Sequence, residues 1–597
     1  MRAVLLYYAV NFALGSAYKI IRGVAVRLKP IVVAKVVLAF ALIANQASAA
    51  EQVDLLIQNG VIYDGSGGNP VKGDVAVRDG RIVAVGKLSD YQARQKLDAK
   101  GLAVAPGFIN TLSWATESLI YDGRAMSDIK QGVTLEIFGE GTSMGPVNGP
   151  IREEMIKTQG DIRYDITWTT LGEYLDFLTK KGISPNVASF VGAATVRTHE
   201  IGFADRAPTP EELVRMQELV RQAMREGALG VGSSLIYAPA SYSKTPELIA
   251  ITKAASEFGG AYISHMRSEG DRFLEALDEL LLIAKEAKVP AQVYHMKAAG
   301  KKNWPKMQQA IDKINAARAS GLKITADMYS YTAGATGLDA AMPTWVQEGG
   351  LDAWIERLQK PEIRARVIKE MRDPNADFES LLLGAGSPER VLLIGFKSDK
   401  LKPLTGKTLA AVAKTRGVSP EDAAIDLVIE DRSRVGTAYF LMSEENVKLG
   451  LSQPWVNIDS DAEAPATEGP FLLSNPHPRA YGTFARFLGH YVRDQKVATL
   501  QDAIRRLTRL PAETFKLKNR GCLQQQCFAD IVVFDPATIK DHATFEKPHQ
   551  YATGVQHVFV NGVQVLRDGE HTGAKPGQVV RGPGYKAAVK PAAGSAP

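Results

Sequence analysis

Two rhythms of apolar and polar positions run along the chain. From residue 53, VDLLIQNGVIYDG and GDVAVRDGRIVAVG alternate apolar and polar residues around Asn-Gly and Asp-Gly pairs, the pattern of antiparallel hairpins closed by tight turns. The same texture returns near the other end in ADIVVFDP and VQHVFVNGVQVLRDGE. Residues 52–105 and about 515–585 are therefore expected to form one small β domain built from both chain ends. A disordered tail is expected over residues 586–597.

Between these lies a slower rhythm, in which a helical pattern and a short apolar strand alternate. Thr209, Pro210 and Glu212 supply an N-cap, a first-turn proline and a capping-box acid for a helix that Gly227 ends, and ALGVGSSLIY follows as a strand. Helices after Thr245, over about 272–288 and over about 306–319 lead in turn to AYISHM, AQVYHMK and KITADMY. With AVAPGFIN, TLEIFGE, NVASFVGAA and WVNIDSDA these make eight strands. The fold class is α/β: eight strand-helix units predict a closed parallel (β/α)8 barrel over residues 106–514, with its active site at the carboxyl ends of the strands. An open doubly wound sheet is the rival, but no glycine-rich phosphate turn opens the first unit. The stretch of about 334–455 exceeds one barrel unit and carries helical patterns such as LDAWIERLQ and EIRARVIKEM, so it is expected to be a lid inserted between the seventh and eighth strands.

Composition narrows the class. A chain of 597 residues with 45% hydrophobic and 23% charged residues is globular. Its formal charge of +6 comes wholly from Arg2, Lys19, Arg22, Arg27, Lys29 and Lys35, because the first 49 residues contain no acid. The remainder is close to neutral, which favours neither a nucleic acid nor an acidic membrane surface as partner. Lys29 and Lys35 precede VVLAFALIA and then NQASAAEQ, which reads as a leader over residues 1–49 cleaved after Ala49. The apolar run is too short to span a bilayer, and a membrane anchor is the alternative. Export to the periplasm or beyond would expose Cys522 and Cys527 to oxidation, with pairing and free thiols both open.

The candidate chemistry sits at the strand ends. His265 ends AYISH and His295 ends AQVYH, and adjacent strands bring such side chains together as metal ligands. WVNIDSDAEA ends its strand in three acids, Asp459, Asp461 and Glu463. Such a cluster is costly without a cation or protons; Asp461 is the candidate general base, and a solvated loop is the other reading for Asp459 and Glu463. Glu140, at the end of TLEIFGE, is the candidate third ligand. Alternation puts Glu136 on the same face but deeper, and the neighbouring glycines could also bulge and turn Glu140 away. Lys297, Tyr329 and Arg479 suit the carboxylate of a substrate, and taken singly each also reads as a surface cation or a core tyrosine. Arg267 and Glu269 in SHMRSE read as a local ion pair.

Taken together, LLIQNGVIYDGSG, VAPGFIN, QGVTLEIFGE, SHMRSE, YHMKAAGKKNW, DMYSYTAG, HPRAYGTFARFLG and ADIVVFDPATIKDHATFEKP resemble the N-acyl-D-amino-acid deacylases (D-aminoacylases) of the amidohydrolase superfamily, over nearly all of residues 52–585. The resemblance implies zinc-dependent hydrolysis of the amide of an N-acyl-D-amino acid, on a (β/α)8 barrel with a small β-sandwich domain. It puts His265 and His295 on the family's histidine ligands, Asp461 on its catalytic aspartate, and Lys297, Tyr329 and Arg479 on its carboxylate-binding set.

The chain departs from that pattern where the family carries an HxH pair and a cysteine. Leu112 and Trp114 stand for the histidines, Asn110 for the acid before them, GEG for GNCG, Ala193 for a histidine and Ala335 for a serine. Two readings remain: a rebuilt site holding one zinc ion on Glu140, His265 and His295, or a non-catalytic periplasmic binder of small molecules on the same scaffold. Trp114 and Leu112 either line a subsite or pack the barrel mouth. A dipeptidase or ring-opening amidase is the enzymatic alternative, the latter weakened because GSSLIY offers no lysine to carry a carbamate bridge.

Overall fold

The computed structural model describes residues 51–586. The leader over 1–49 and, but for Lys586, the tail over 586–597 lie outside the described residues. Strands Glu51–Ile62, Val71–Arg78, Arg81–Gly86 and Ala103–Pro106 share one sheet with Ile531–Phe534, Val555–Val560, Val563–Arg567 and Glu570–His571. The two chain ends meet where Ala103–Pro106 runs antiparallel to Ile531–Phe534, with Val104 opposite Val533. Leu55, Ile57, Val75, Val77, Ile531, Val533 and Phe559 fill the core of this β-sandwich. Cys522 and Cys527, the two cysteines of the chain, join the same core and are linked by a disulfide.

AVAPGFIN does not form one strand. Gly107 divides it, so Ala103–Pro106 stays with the sandwich and Phe108–Asn110 begins the barrel. A Cβ at Gly107 would lie 2.2 Å from Thr134 Oγ1, so only glycine passes this junction. The barrel strands then follow in order: Phe108–Asn110, Val133–Phe138, Asn186–Ser189, Gly230–Ser234, Ala261–His265, Ala291–Val293, Ile324–Met328 and Val456–Ile458. Each is parallel to its neighbours. The third strand changes partners at Phe190: Asn186–Ser189 pairs with the second strand and Val191–Gly192 with the fourth. The ring closes between its ends, where Ser113 bridges to Ala462, Asp461 N–H donates to Leu112 O at 3.0 Å and Trp114 N–H to Ala462 O at 2.9 Å.

Alternation along the strands sorts the side chains. Phe108, Val187, Val231 and Tyr262 join the large cluster that includes the helices. Ile109, Leu135, Ile137, Ala188, Phe190 and Ile263 gather in a separate cluster closed by Ala512 and Phe515, the barrel interior. The interior is polar on the side of the last strands: Gln292 donates to Asp327 and accepts from Thr325 and Asn457, and Thr111 donates to Asp327. Outside, the helix Pro210–Arg225 starts in a reciprocal capping box of Thr209 and Glu212. Helices Phe273–Ala287 and Lys306–Ala319 occupy the expected segments.

The excursion between the seventh and eighth strands holds helices Leu351–Leu358, Pro361–Arg372 and Pro420–Asp431 and also a three-stranded antiparallel sheet of Gly334–Gly337, Gly436–Tyr439 and Val391–Gly395. The pattern of GATG and GTAY, short and small, carries no alternation that announces a strand. Among the described residues no helix is long and apolar enough to cross a membrane.

Arg197, fully buried in the helix Ala193–Ile201, donates to both oxygens of Glu247 at 2.9 and 2.7 Å and to Ala204 O at 3.2 Å. Removing one partner of such a pair leaves a bare charge in the core. Glu247→Ala is expected to destabilise the fold by about 3–5 kcal/mol, read as a fall in the urea midpoint, with Glu247→Gln losing less.

Candidate metal centre

His265 ends the fifth strand on the same parity as Ala261 and Ile263, and so faces the interior. The register pairs Ser264 with Val293, which makes Tyr294, not His295, level with His265. Simple alternation would send His295 outward. The backbone corrects this: His295 takes φ 33°, and its N–H donates to Asp327 Oδ1 at 2.5 Å. Positive φ is uncommon for a residue with a Cβ and clusters at functional sites.

Glu140 is brought in by glycines. The second strand stops at Phe138, and Gly139 and Gly141 take φ 108° and 70°. A Cβ on Gly139 would sit 2.4 Å from Phe190 O, and one on Gly141 2.4 Å from Ser234 Cβ. The turn slips between the ends of the third and fourth strands and aims Glu140 at the mouth, the reverse of a bulge that turns it away. Glu136 does not share its surroundings: it accepts from Asn110 at 3.0 Å, beside Asp128. Burial pushes the Glu136 carboxyl up to about 7.

Glu140 Oε1 stands 3.0 Å from His265 Nδ1 and 3.1 Å from His295 Nε2. One donor atom from each of the three lies within 4.8 Å of the others, and no other such group occurs among the described residues. Tetrahedral zinc, with ligand bonds of about 2.0–2.2 Å, sets its ligands about 3.3 Å apart. Two imidazoles and a carboxylate at this spacing fit a divalent ion, and His265 Nε2 is buried without a hydrogen-bond partner. Burial opposes the Glu140 charge, but the two rings hold its carboxyl well below the ordinary range.

Asp461 also takes positive φ, 43°. Trp114 Nε1–H donates to its Oδ1 at 3.1 Å, and Arg479 Nη1 lies 2.8 Å from its Oδ2. Burial raises the Asp461 carboxyl above its usual range despite Arg479. Arg479 stacks its guanidinium over the Tyr329 ring, 4.5 Å from the centroid. Lys297 Nζ donates to Glu269 Oε1 at 2.6 Å and lies 2.7 Å from His295 Nδ1. Glu269 is therefore the partner of Lys297, and the local pair expected with Arg267 does not form: Arg267 pairs with Glu279 at 2.9 Å instead. Asp459 is no solvated loop residue. Both its carboxylate oxygens are buried without partners, and burial with Asp327 and Asp461 nearby pushes its carboxyl well up. Glu463, by contrast, is exposed.

Glu140, the two histidines, Asp461, Arg479, Tyr329 and Lys297 line one cavity of about 580 Å³. It holds all seven residues singled out from the sequence, and with them Trp114, Glu269 and Arg434. Leu112 is buried in the barrel interior, while Trp114 faces the cavity.

Comparison with known proteins accords with this architecture. The amidohydrolase family model matches residues 95–566, and that for the urease alpha-subunit N-terminal domain matches residues 33–107. The D-aminoacylase of Alcaligenes xylosoxydans xylosoxydans is 34% identical over 537 residues, 89% of this chain and 98% of the relative. The chain belongs to the D-aminoacylase family of amidohydrolases. The crystal structure of an N-acyl-D-glutamate deacylase from Bordetella bronchiseptica, complexed with zinc and a phosphonate mimic of the tetrahedral intermediate, is 29% identical with a TM-score of 0.73, covering 89% of this chain and 100% of that one. A D-aminoacylase structure concerned with its binuclear metal centre, one-metal activation and second-metal attenuation is 31% identical with the same TM-score of 0.73 and the same coverage, 89% and 100%.

Within this D-aminoacylase fold, sequence reasoning missed Glu269, Trp114 as a hydrogen-bond donor, and Arg434. A signal existed for Glu269, four residues beyond His265 and as buried as Lys297. For Trp114 it lay in the closure of the barrel, which no local pattern carries. Gly139→Ala is expected to displace Glu140, lowering bound metal measured by elemental analysis and cutting kcat/KM by at least about tenfold.

Proposed function

We propose that this protein hydrolyses the amide of N-acyl-D-amino acids, releasing a carboxylate and the free D-amino acid, with one divalent ion, zinc foremost, on Glu140, His265 and His295. The observation that carries the reading is the convergence of those three donors beside a strained, ion-paired Asp461. The D configuration is supported by the activities after which the relatives are named. Bound there, the ion would polarise the acyl carbonyl and lower the pKa of a water toward about 7.

The protein's own groups do the remaining work. Asp461 accepts the proton of the attacking water and returns it to the departing amine. Trp114 holds one of its oxygens and Arg479 the other, so the carboxylate is aimed without a search over rotamers. Burial makes it a stronger base than a solvated aspartate. Arg479 and Tyr329 meet the α-carboxylate: Arg479 Nε is buried without a hydrogen-bond partner, and Tyr329 Oη finds only Met442 Sδ, at 3.6 Å. Lys297, on the same wall, reaches that carboxylate by sharing its proton donors with Glu269. Trp114 stands where the resemblance would have a metal-ligating histidine, which supports a single ion. The leader-like sequence and the Cys522–Cys527 disulfide support action in the periplasm or outside the cell.

The purified protein is expected to release free amine from N-acetyl-D-amino acids and not from N-acetyl-L-amino acids or dipeptides. Release from L substrates alone would overturn the stereochemical claim. Chelation is expected to abolish the activity and zinc to restore it; an active protein free of metal would overturn the ligand set. His265→Ala is expected to lose the metal, whereas Asp461→Asn retains it and loses about 10²–10⁴ in kcat. Ligand binding without turnover in the metal-loaded protein would favour the binder.

A further inference from the structure

Three cationic side chains line the cavity, and two of them are buried beside an acid. Lys297 and Arg479 are each 5% exposed and lie against Glu269 and Asp461. Arg434 differs. Half of its side chain (50%) is open, while its partner Asp339 is 3% exposed. The acid stands behind the guanidinium and the cation in front of it.

The guanidinium is fixed on three sides. Its Nε donates to both oxygens of Asp339 at 2.9 Å, and Nη2 donates to Thr336 Oγ1 at 3.2 Å. The group lies over the Tyr237 ring, 4.7 Å from the centroid, and Tyr237 in turn packs edge-on against His265 with centroids 5.2 Å apart. Arg434 is thus one aromatic ring away from the metal centre. Nη1 has no protein partner among these contacts, and its donors, with the second N–H of Nη2, are left for a ligand. A held arginine with a free fork is suited to a carboxylate.

The backbone is arranged for this placement. Val435, β-branched and next in sequence, takes φ 57°, an outlier for such a residue. Leu338 N–H bonds to Arg434 O at 2.7 Å and to Val435 O at 2.9 Å. A Cβ on Gly337 would lie 2.1 Å from Asp339 Oδ1 and 2.7 Å from Arg434 Cβ, so the pair packs across a glycine. All of these residues come from the excursion between the seventh and eighth strands, at two antiparallel strand ends where Gly337 is opposite Gly436.

We infer that Arg434, backed by Asp339 and Thr336, forms a second anionic subsite that takes a carboxylate of the substrate other than its α-carboxylate. The substrate class is then a dicarboxylic N-acyl-amino acid. The second carboxylate belongs either to the amino-acid side chain or to the acyl chain, two sources with one chemistry. The inference rests on the proposed hydrolase activity for its substrate class, while the subsite itself is an anion-binding claim that binding alone can test.

The test pairs each acid with a neutral twin: N-acetyl-D-glutamate against N-acetyl-D-glutamine for the side chain, and N-succinyl-D-leucine against N-butyryl-D-leucine for the acyl chain. The wild-type protein is expected to prefer the acid of one pair by about 10- to 100-fold in kcat/KM. Arg434→Gln is expected to lose at least about tenfold on that acid and less on its twin, and Arg434→Lys to restore part of the preference. Turnover of D substrates with no preference for either acid overturns the subsite and leaves the hydrolase reading intact. If no substrate turns over, the hydrolase reading fails, and calorimetric binding of the same four compounds to the wild type and Arg434→Gln decides the subsite. Tighter binding of an acid than of its twin, lost in the variant, upholds it; equal binding overturns it. Should Arg434→Gln not fold, the wild-type preference and its weakening in Arg434→Lys decide between the same two outcomes.

Discussion

A single carboxylate oxygen, Glu140 Oε1, placed about 3 Å from two imidazoles, is the constraint on which the mouth of this barrel depends. A buried anion is tolerable only when paired or bound to a metal. Two rings do the pairing here, and they reach the anion only because the backbone departs from regular strand at three places. Gly139 and Gly141 turn Glu140 inward, and His295 takes a positive φ to join His265. The strain is localised at the ends of strands whose interiors are regular and closely packed, so the rigid barrel bears it.

From that centre, charge compensation spreads in shells that tie the lid to the barrel. Glu269 takes the charge of Lys297 beside His295. The turn that carries Glu269 is itself held by Glu379 of the lid, which accepts from the backbone N–H groups of Glu269 and Gly270 and from the Ser268 hydroxyl. Arg479 and Trp114 fix Asp461, and Asp327 fixes the His295 backbone. Both oxygens of Asp459 are buried without partners, and burial, with Asp327 and Asp461 nearby, pushes its carboxyl well above the ordinary range. Most of the charged groups in this cavity are therefore already engaged, and the few free donors that remain, on Arg479, Tyr329 and Arg434, mark where a ligand would meet the protein.

The order of elements was legible because it is written in local periodicity. Capping residues such as Thr209 and Glu212, apolar runs such as AYISH, and Asn-Gly and Asp-Gly turns report on neighbours within a few residues. The seven candidate site residues were also legible as chemical types at strand ends, and all seven line the cavity. The strands of the lid and the break at Gly107 were not. GATG and GTAY are too short and too small to carry a period, and the clash at Gly107 is with Thr134, on another strand.

What the sequence by itself determined is therefore the barrel, the two-ended β domain and the set of candidate ligands at strand ends, since each depends on hydrogen bonds and hydrophobic burial that repeat with a fixed local period. What only the tertiary structure decided is pairing. Trp114 reaches Asp461 because the first and eighth strands close the ring, Lys297 pairs with Glu269, and Arg267 turns to Glu279. Such choices are made by electrostatics and close packing between residues far apart in the chain, and a one-dimensional pattern holds no record of which of several acids a given cation will meet.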